Sequence, residues 1–182
     1  MLQYKIFHIF DKQQTVNCLI QKFGKEILIF NDNLVAIPYD YGKRGYKYVL
    51  EGVRELPVKQ SIITPINFLK MLEFAIINSC HINNITFIDS IPGEEQEFIK
   101  DYTQRLNRPI DSKEKYHTLD KLFKELEWLA FDESIDIKSV SISCQGSDSP
   151  LKYDLELYNN GVLLADDISI LDQVQKLITY IN

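Results

Sequence analysis

Leu151, Tyr153, Leu155 and Leu157 alternate with Lys152, Asp154, Glu156 and Tyr158, and Asn159-Asn160-Gly161 follows at once. Successive side chains of a strand point to opposite faces, so this period of two marks a half-buried strand. Asn and Gly tolerate the positive φ of a tight hairpin, and Val162 to Ala165 returns as the second strand. From Ser169 onward, Ile170, Leu171, Val174, Leu177, Ile178 and Ile181 fall on one helical stripe. Ser169 is the expected cap, and Ser169-Ile170-Leu171-Asp172 resembles a capping box with Asp in place of Glu.

The segment before the hairpin extends this α+β pattern. Thr118 is expected to cap a helix carrying Leu119, Leu122, Phe123, Leu126, Leu129 and Ala130 on one face. Ile135 to Cys144 then reads as a strand. Residues 118–182 therefore read as an αβββα half with a three-stranded antiparallel sheet. In residues 1–108, Tyr4–Phe10, Gln14–Phe23, Glu26–Phe30 and Leu34–Tyr39 read as strands of an antiparallel β-meander. Tyr39–Lys59 reads as two further strands joined by the basic loop Gly42-Lys43-Arg44-Gly45. Thr64-Pro65 starts a helix that ends near Asn78, apolar nearly all round and expected to cover the meander. A strand from Ile82 to Asp89 follows. Next comes a helix opened by Glu94, Glu95 and Glu97, whose carboxylates suit the positive end of its dipole. Residues 109–117 are charged without an apolar period and form the expected connector between the halves; one continuous domain is the alternative.

The cysteines, Cys18, Cys80 and Cys144, are odd in number and far apart. That spacing argues against a disulfide framework and for a reducing compartment. The N-terminal stretch is short and polar for a signal sequence, and no apolar run approaches the ~20 residues of a membrane helix. The expectation is a cytoplasmic protein with no membrane contact.

Motifs for chemistry are sparse. There is no G-x-S-x-G, no G-x-x-x-x-G-K-[ST] and no G-x-G-x-x-G. His8, His81 and His117 lack the spacing of a zinc site, and Cys80-His81 alone is too few ligands. No cofactor or metal is expected. The balance leans against an enzyme, although a site assembled from scattered residues is one reading.

Charge is the remaining signal. Residues 1–110 carry 13 basic and 12 acidic side chains, whereas residues 111–182 carry 7 and 14. Asp120, Glu125, Glu127, Asp132, Glu133 and Asp136 cluster on or after one helix, with Trp128 and Phe131 beside them. An aromatic anchor among carboxylates suits a basic protein partner. The expected function is a non-enzymatic acidic binding module that neutralises or regulates such a partner, for example an immunity-type inhibitor of a toxin. Phosphate backbones are repelled by this half. Its helix–three strands–helix order also occurs in double-stranded RNA-binding domains, but Asp166, Asp167 and Asp172 stand where those place lysines. The alternative is a nucleic-acid-associated protein using the Tyr-rich loop 39–48, with Lys43, Arg44 and Lys47 against phosphate. Tyr46, Tyr41 or Tyr48 would then stack on bases.

Overall fold

The computed structural model describes the whole chain except Asp32, Tyr41, Lys43, Arg44 and residues 147–149. Its elements in order are β1 (Leu2–Ile9), α1 (Lys12–Phe23), β2 (Leu28–Ile29), β3 (Leu34–Pro38), α2 (Tyr46–Val53), β4 (Val58–Gln60) and α3 (Pro65–Ile77). Then come β5 (His81–Phe87), α4 (Gly93–Leu106), α5 (Ser112–Phe131), β6 (Ile137–Gln145), β7 (Lys152–Tyr158), β8 (Val162–Ala165) and α6 (Leu171–Ile181). The class is α+β.

The C-terminal hairpin forms as its alternation requires. Leu155 pairs with Ala165 and Leu157 with Leu163, and Gly161 turns the chain with a φ of 76°. Leu155, Leu157, Leu163 and Ala165 are buried on one face, where Ile170, Val174, Leu177, Ile178 and Ile181 meet them. The side-chain cap belongs to the 3₁₀ turn that precedes this last helix, and it is Asp167, two residues before the expected Ser169. Its Oδ1 accepts from the Ser169 N–H at 2.9 Å and from the Ser169 hydroxyl at 2.7 Å. Those bonds, the main-chain one foremost, hold the Asp167 carboxyl below the usual carboxylate range. One 3₁₀ turn, Ile168–Ile170, leads into α6.

One sheet runs through both halves, in the order β2-β3-β1-β8-β7-β6-β5, with β4 also on β1. β1 is the hinge of this arrangement. Its start pairs with β8 and its end with β4 on the same side, while β3 flanks the other. The N-terminal strands are thus antiparallel, but not the continuous meander expected. Gln14–Phe23 is helical, because Thr15, Leu19 and Phe23 recur every fourth residue and are buried. Tyr39–Lys59 holds α2 and the short β4 rather than two strands, since Val49 and Val53 form the buried face of a helix. Glycine at position 52 lets α2 lie against Phe23, whose ring would stand 2.5 Å from an added β-carbon.

The Thr64 cap forms as expected. Its Oγ1 accepts from the Asn67 N–H, and Asn67 Oδ1 accepts from the Thr64 N–H at 2.9 Å. α3 does not lie over the N-terminal strands alone. It packs on α5, α6, β5 and β6, in a core that Tyr4, Ile6, Leu34 and Ala36 also reach. The other face of β1 and β3 is covered by α1 and α2 through Phe7, Ile9, Val35, Ile37, Leu19 and Val49.

Two further expectations are corrected. α5 begins at Ser112, with Asp111 Oδ1 accepting from the Glu114 N–H at 3.0 Å, so most of the expected connector is helix. Thr118 is a mid-helix residue, its hydroxyl bonded to the Glu114 carbonyl. Cys80 and Cys144 form a disulfide, with Cα atoms 4.5 Å apart. They lie directly across β5 and β6, one step from the His81–Ser143 pair. Antiparallel neighbours come to that separation, and the cysteine count therefore gives no argument for a reducing compartment. No described helix is long and apolar enough to cross a membrane.

Candidate protein-binding surface

On α5, Leu119, Leu122, Leu126 and Leu129 are buried, which turns the opposite face to solvent. Of the acidic residues expected to act together, Asp120 and Glu127 lie on that face, whereas Glu125 is turned toward its flank and is half-buried. Asp120 is bound to Lys124 at 2.7 Å, and this hydrogen bond keeps its carboxyl below its ordinary range. Glu125 and Glu127, two positions apart, project about 160° from one another around the axis. Asp120 and Asp132 are separated by about 18 Å of helix rise.

The end of α5 brings the remainder together. Ser134 takes a left-handed φ of 58°, and the Ile135 N–H reaches back to the Leu129 carbonyl at 2.8 Å. This is the helix-ending geometry usually given to glycine. The Asp132 and Glu133 N–H groups both close on the Trp128 carbonyl. The chain then enters β6, and Asp136 accepts at its carbonyl from the Ile88 N–H at 3.0 Å. That bond carries the end of β5 to the same corner. Phe131 is 66% exposed, Ile88 54% and Trp128 37%, and around them Asp89, Asp132, Glu133 and Asp136 are exposed. The short link 107–111 returns α5 antiparallel along α4. This sets Glu94, Glu95 and Glu97, at the start of α4, toward the same end. Among the described residues none of these carboxylates has an ion-pair partner, and Glu95 Oε2 is buried without a hydrogen-bond donor. The contributions of Ile88, Asp89 and the α4 start were not readable locally, since they depend on how β5 and α5 meet β6.

A groove of about 910 Å³ runs from this corner along the outer edge of β5, with α4 as its second wall. At its far end Asn107 Oδ1 accepts from the Ile82 N–H at 2.9 Å, and Asn107 Nδ2 donates to the Ile82 carbonyl at 2.8 Å. On the face of β5–β7 away from α3, Ser139, Ser141 and Ser143 oppose Tyr158, Glu156 and Asp154. Asn83 links this row, donating to Asp154 at 3.1 Å and accepting from Ser143 at 2.9 Å. His81 Nδ1 meets Asn83 Oδ1 at 3.1 Å. The Ser143 hydroxyl is committed to Asp154 and Asn83 rather than to His81, so this row holds no serine activated by a histidine. No group of three or more His, Cys, Asp and Glu among the described residues is arranged to hold a metal ion.

The basic loop is only partly described, Lys43 and Arg44 lying outside the described residues. Lys47 is 3.8 Å from Glu51, with both side chains exposed. Tyr46 donates its hydroxyl to Gln60 at 2.8 Å, and its ring faces the Lys5 amine at 5.7 Å. The Tyr46 ring is therefore built into the α2–β4 packing. No family model matches the chain, and no curated protein or solved structure matches it either.

Proposed function

We propose that the protein is a non-enzymatic binding module for a basic protein, held at the corner formed by the ends of α5 and β5 and the start of α4. The observation that supports this reading is the exposure of Phe131, Ile88 and Trp128 within a set of carboxylates that have no ion partners among the described residues. Large apolar side chains at the centre of a surface give binding energy, and a surrounding rim of one charge gives speed and selectivity. Asp132, Glu133 and Asp136 are the inner rim, and Asp89, Glu94 and Glu97 extend it. Asp120, Glu125 and Glu127 have an outlying part in this reading. A partner neutralised or regulated in this way is consistent with an immunity-type inhibitor of a basic toxin, acting in the cytoplasm. Trp128 is the chain's single tryptophan, so binding at the corner is read directly from its fluorescence. A basic partner should shift the Trp128 emission to the blue, with affinity that falls as salt rises. Emission unchanged by a partner that binds the protein would place the contact elsewhere.

A further inference from the structure

We infer that the groove between β5 and α4 receives an extended segment of the partner, main chain against main chain on the outer edge of β5. This rests on the reading above that the partner is a basic protein. β5 ends the sheet, and among the described residues no further strand pairs with it. Unpaired N–H and C=O groups on such an edge are a template for another chain. The molecule itself shows what fits there, because the Asn107 carboxamide meets both main-chain groups of Ile82 as a neighbouring strand's peptide would. Past Ile82 the groove stays open. Its helical wall offers Gln96 and Gln104, side chains that bond peptide groups without regard to sequence.

A second copy of the chain is a poor occupant. α4 stands beside the edge where a second sheet would have to approach. The ladder of β5 also shifts register at Ile82/Asn84 and at Thr86/Phe87, which breaks the regular edge that sheet-to-sheet pairing needs. A single extended segment requires only the run Asn84–Thr86 and one strand's width. Charge fixes its polarity. Asp89 and the acidic corner lie at one end of the groove, while Arg108 and Lys100 line the rest and have no ion partner among the described residues. The segment is therefore basic at the corner end and carries a carboxylate toward Arg108.

The probe is a short peptide of alternating valine and threonine with lysines at one end and glutamates at the other, titrated into the full-length protein and followed by amide NMR. The inference expects shifts across Asn84, Ile85 and Thr86, with hydrogen exchange slowed at Ile85, whose N–H points away from β6. Methylating alternate peptide nitrogens removes donors without changing charge and should weaken binding at least ~10-fold. Lys100→Glu with Arg108→Glu, checked for an unchanged NMR fold signature, should weaken it by a similar factor. Shifts confined to Trp128, Asp132 and Glu133, or affinity indifferent to N-methylation, would overturn the groove while leaving the corner intact. Absence of any shift, at the corner as well as the groove, would overturn both.

Discussion

A β-carbon placed on Gly161 would stand 2.4 Å from the Ser61 carbonyl oxygen. The tip of the β7–β8 hairpin thus rests directly on the chain leaving β4, and Ile6 joins the two. The Ile6 N–H donates to the Gly161 carbonyl at 2.9 Å, and the Ser61 N–H donates to the Ile6 carbonyl at 3.0 Å. Gly161 is needed both for its φ of 76° and for this approach. Gly161→Ala should cost about 2–3 kcal/mol in urea unfolding. A cost below about 0.5 kcal/mol would mean that the contact opens freely.

Asn107→Leu keeps the side chain's bulk but leaves the outer N–H and C=O of Ile82 without protein partners. Stability should fall by about 1–3 kcal/mol, and the Ile82 amide should exchange faster than in the wild type. Unchanged exchange at Ile82 would show that water or a shifted α4 replaces the carboxamide.

Reduction of the Cys80–Cys144 bond should remove about 2–4 kcal/mol of stability. Intact-mass measurement under non-reducing denaturation should find one thiol open to alkylation, that of Cys18. Three reactive thiols in protein taken from its native compartment would show the pair reduced there and would favour the cytoplasmic placement.

Lys5 is buried in β1, its amine donating to the Asn160 carbonyl and facing the Tyr46 ring. Burial lowers its pKa below the ordinary 10.5. Between the folded value and 10.5 the unfolded chain binds the proton more strongly, so this group's contribution to stability rises with pH across that window. Tyr4 acts in the opposite sense, because burial first and Glu26 second raise its pKa, and stability is lost above its ordinary 10.0. Lys5→Met leaves the Tyr4 effect in place and should remove only the alkaline gain. Parallel stability–pH curves for the two proteins would contradict the assignment.

The elements legible in the sequence are those whose apolar period matches one structure only. The hairpin 151–165, the stripe of α6 and the Thr64-Pro65 start of α3 are of this kind. Residues 14–23 carry two periods at once. Val16, Cys18 and Ile20 alternate like a strand, while Thr15, Leu19 and Phe23 follow a helix, and packing against α2 favours the second. The start of α5 was hidden because Lys113 and Glu114 are solvent-exposed and leave no apolar mark. The disulfide depends on a register 64 residues apart in sequence, which no local pattern carries. For the surface, composition pointed to Trp128, Asp132, Glu133 and Asp136. It also grouped Asp120, Glu125 and Glu127 with them; helix phase separates Glu125, and the Lys124 pair and about 16 Å of helix rise separate Asp120 from Phe131.

The most direct measurement of the central claim is retention of native-source proteins on the immobilised wild type and on Asp132→Lys/Glu133→Lys, followed by titration of the purified captured protein with Trp128 fluorescence. These side chains are exposed, so the variant should fold normally. The account predicts a basic protein held at low salt by the wild type, released as salt rises, and bound at least ~10-fold more weakly by the variant. Equal retention by both proteins, or capture of nothing basic, would contradict it.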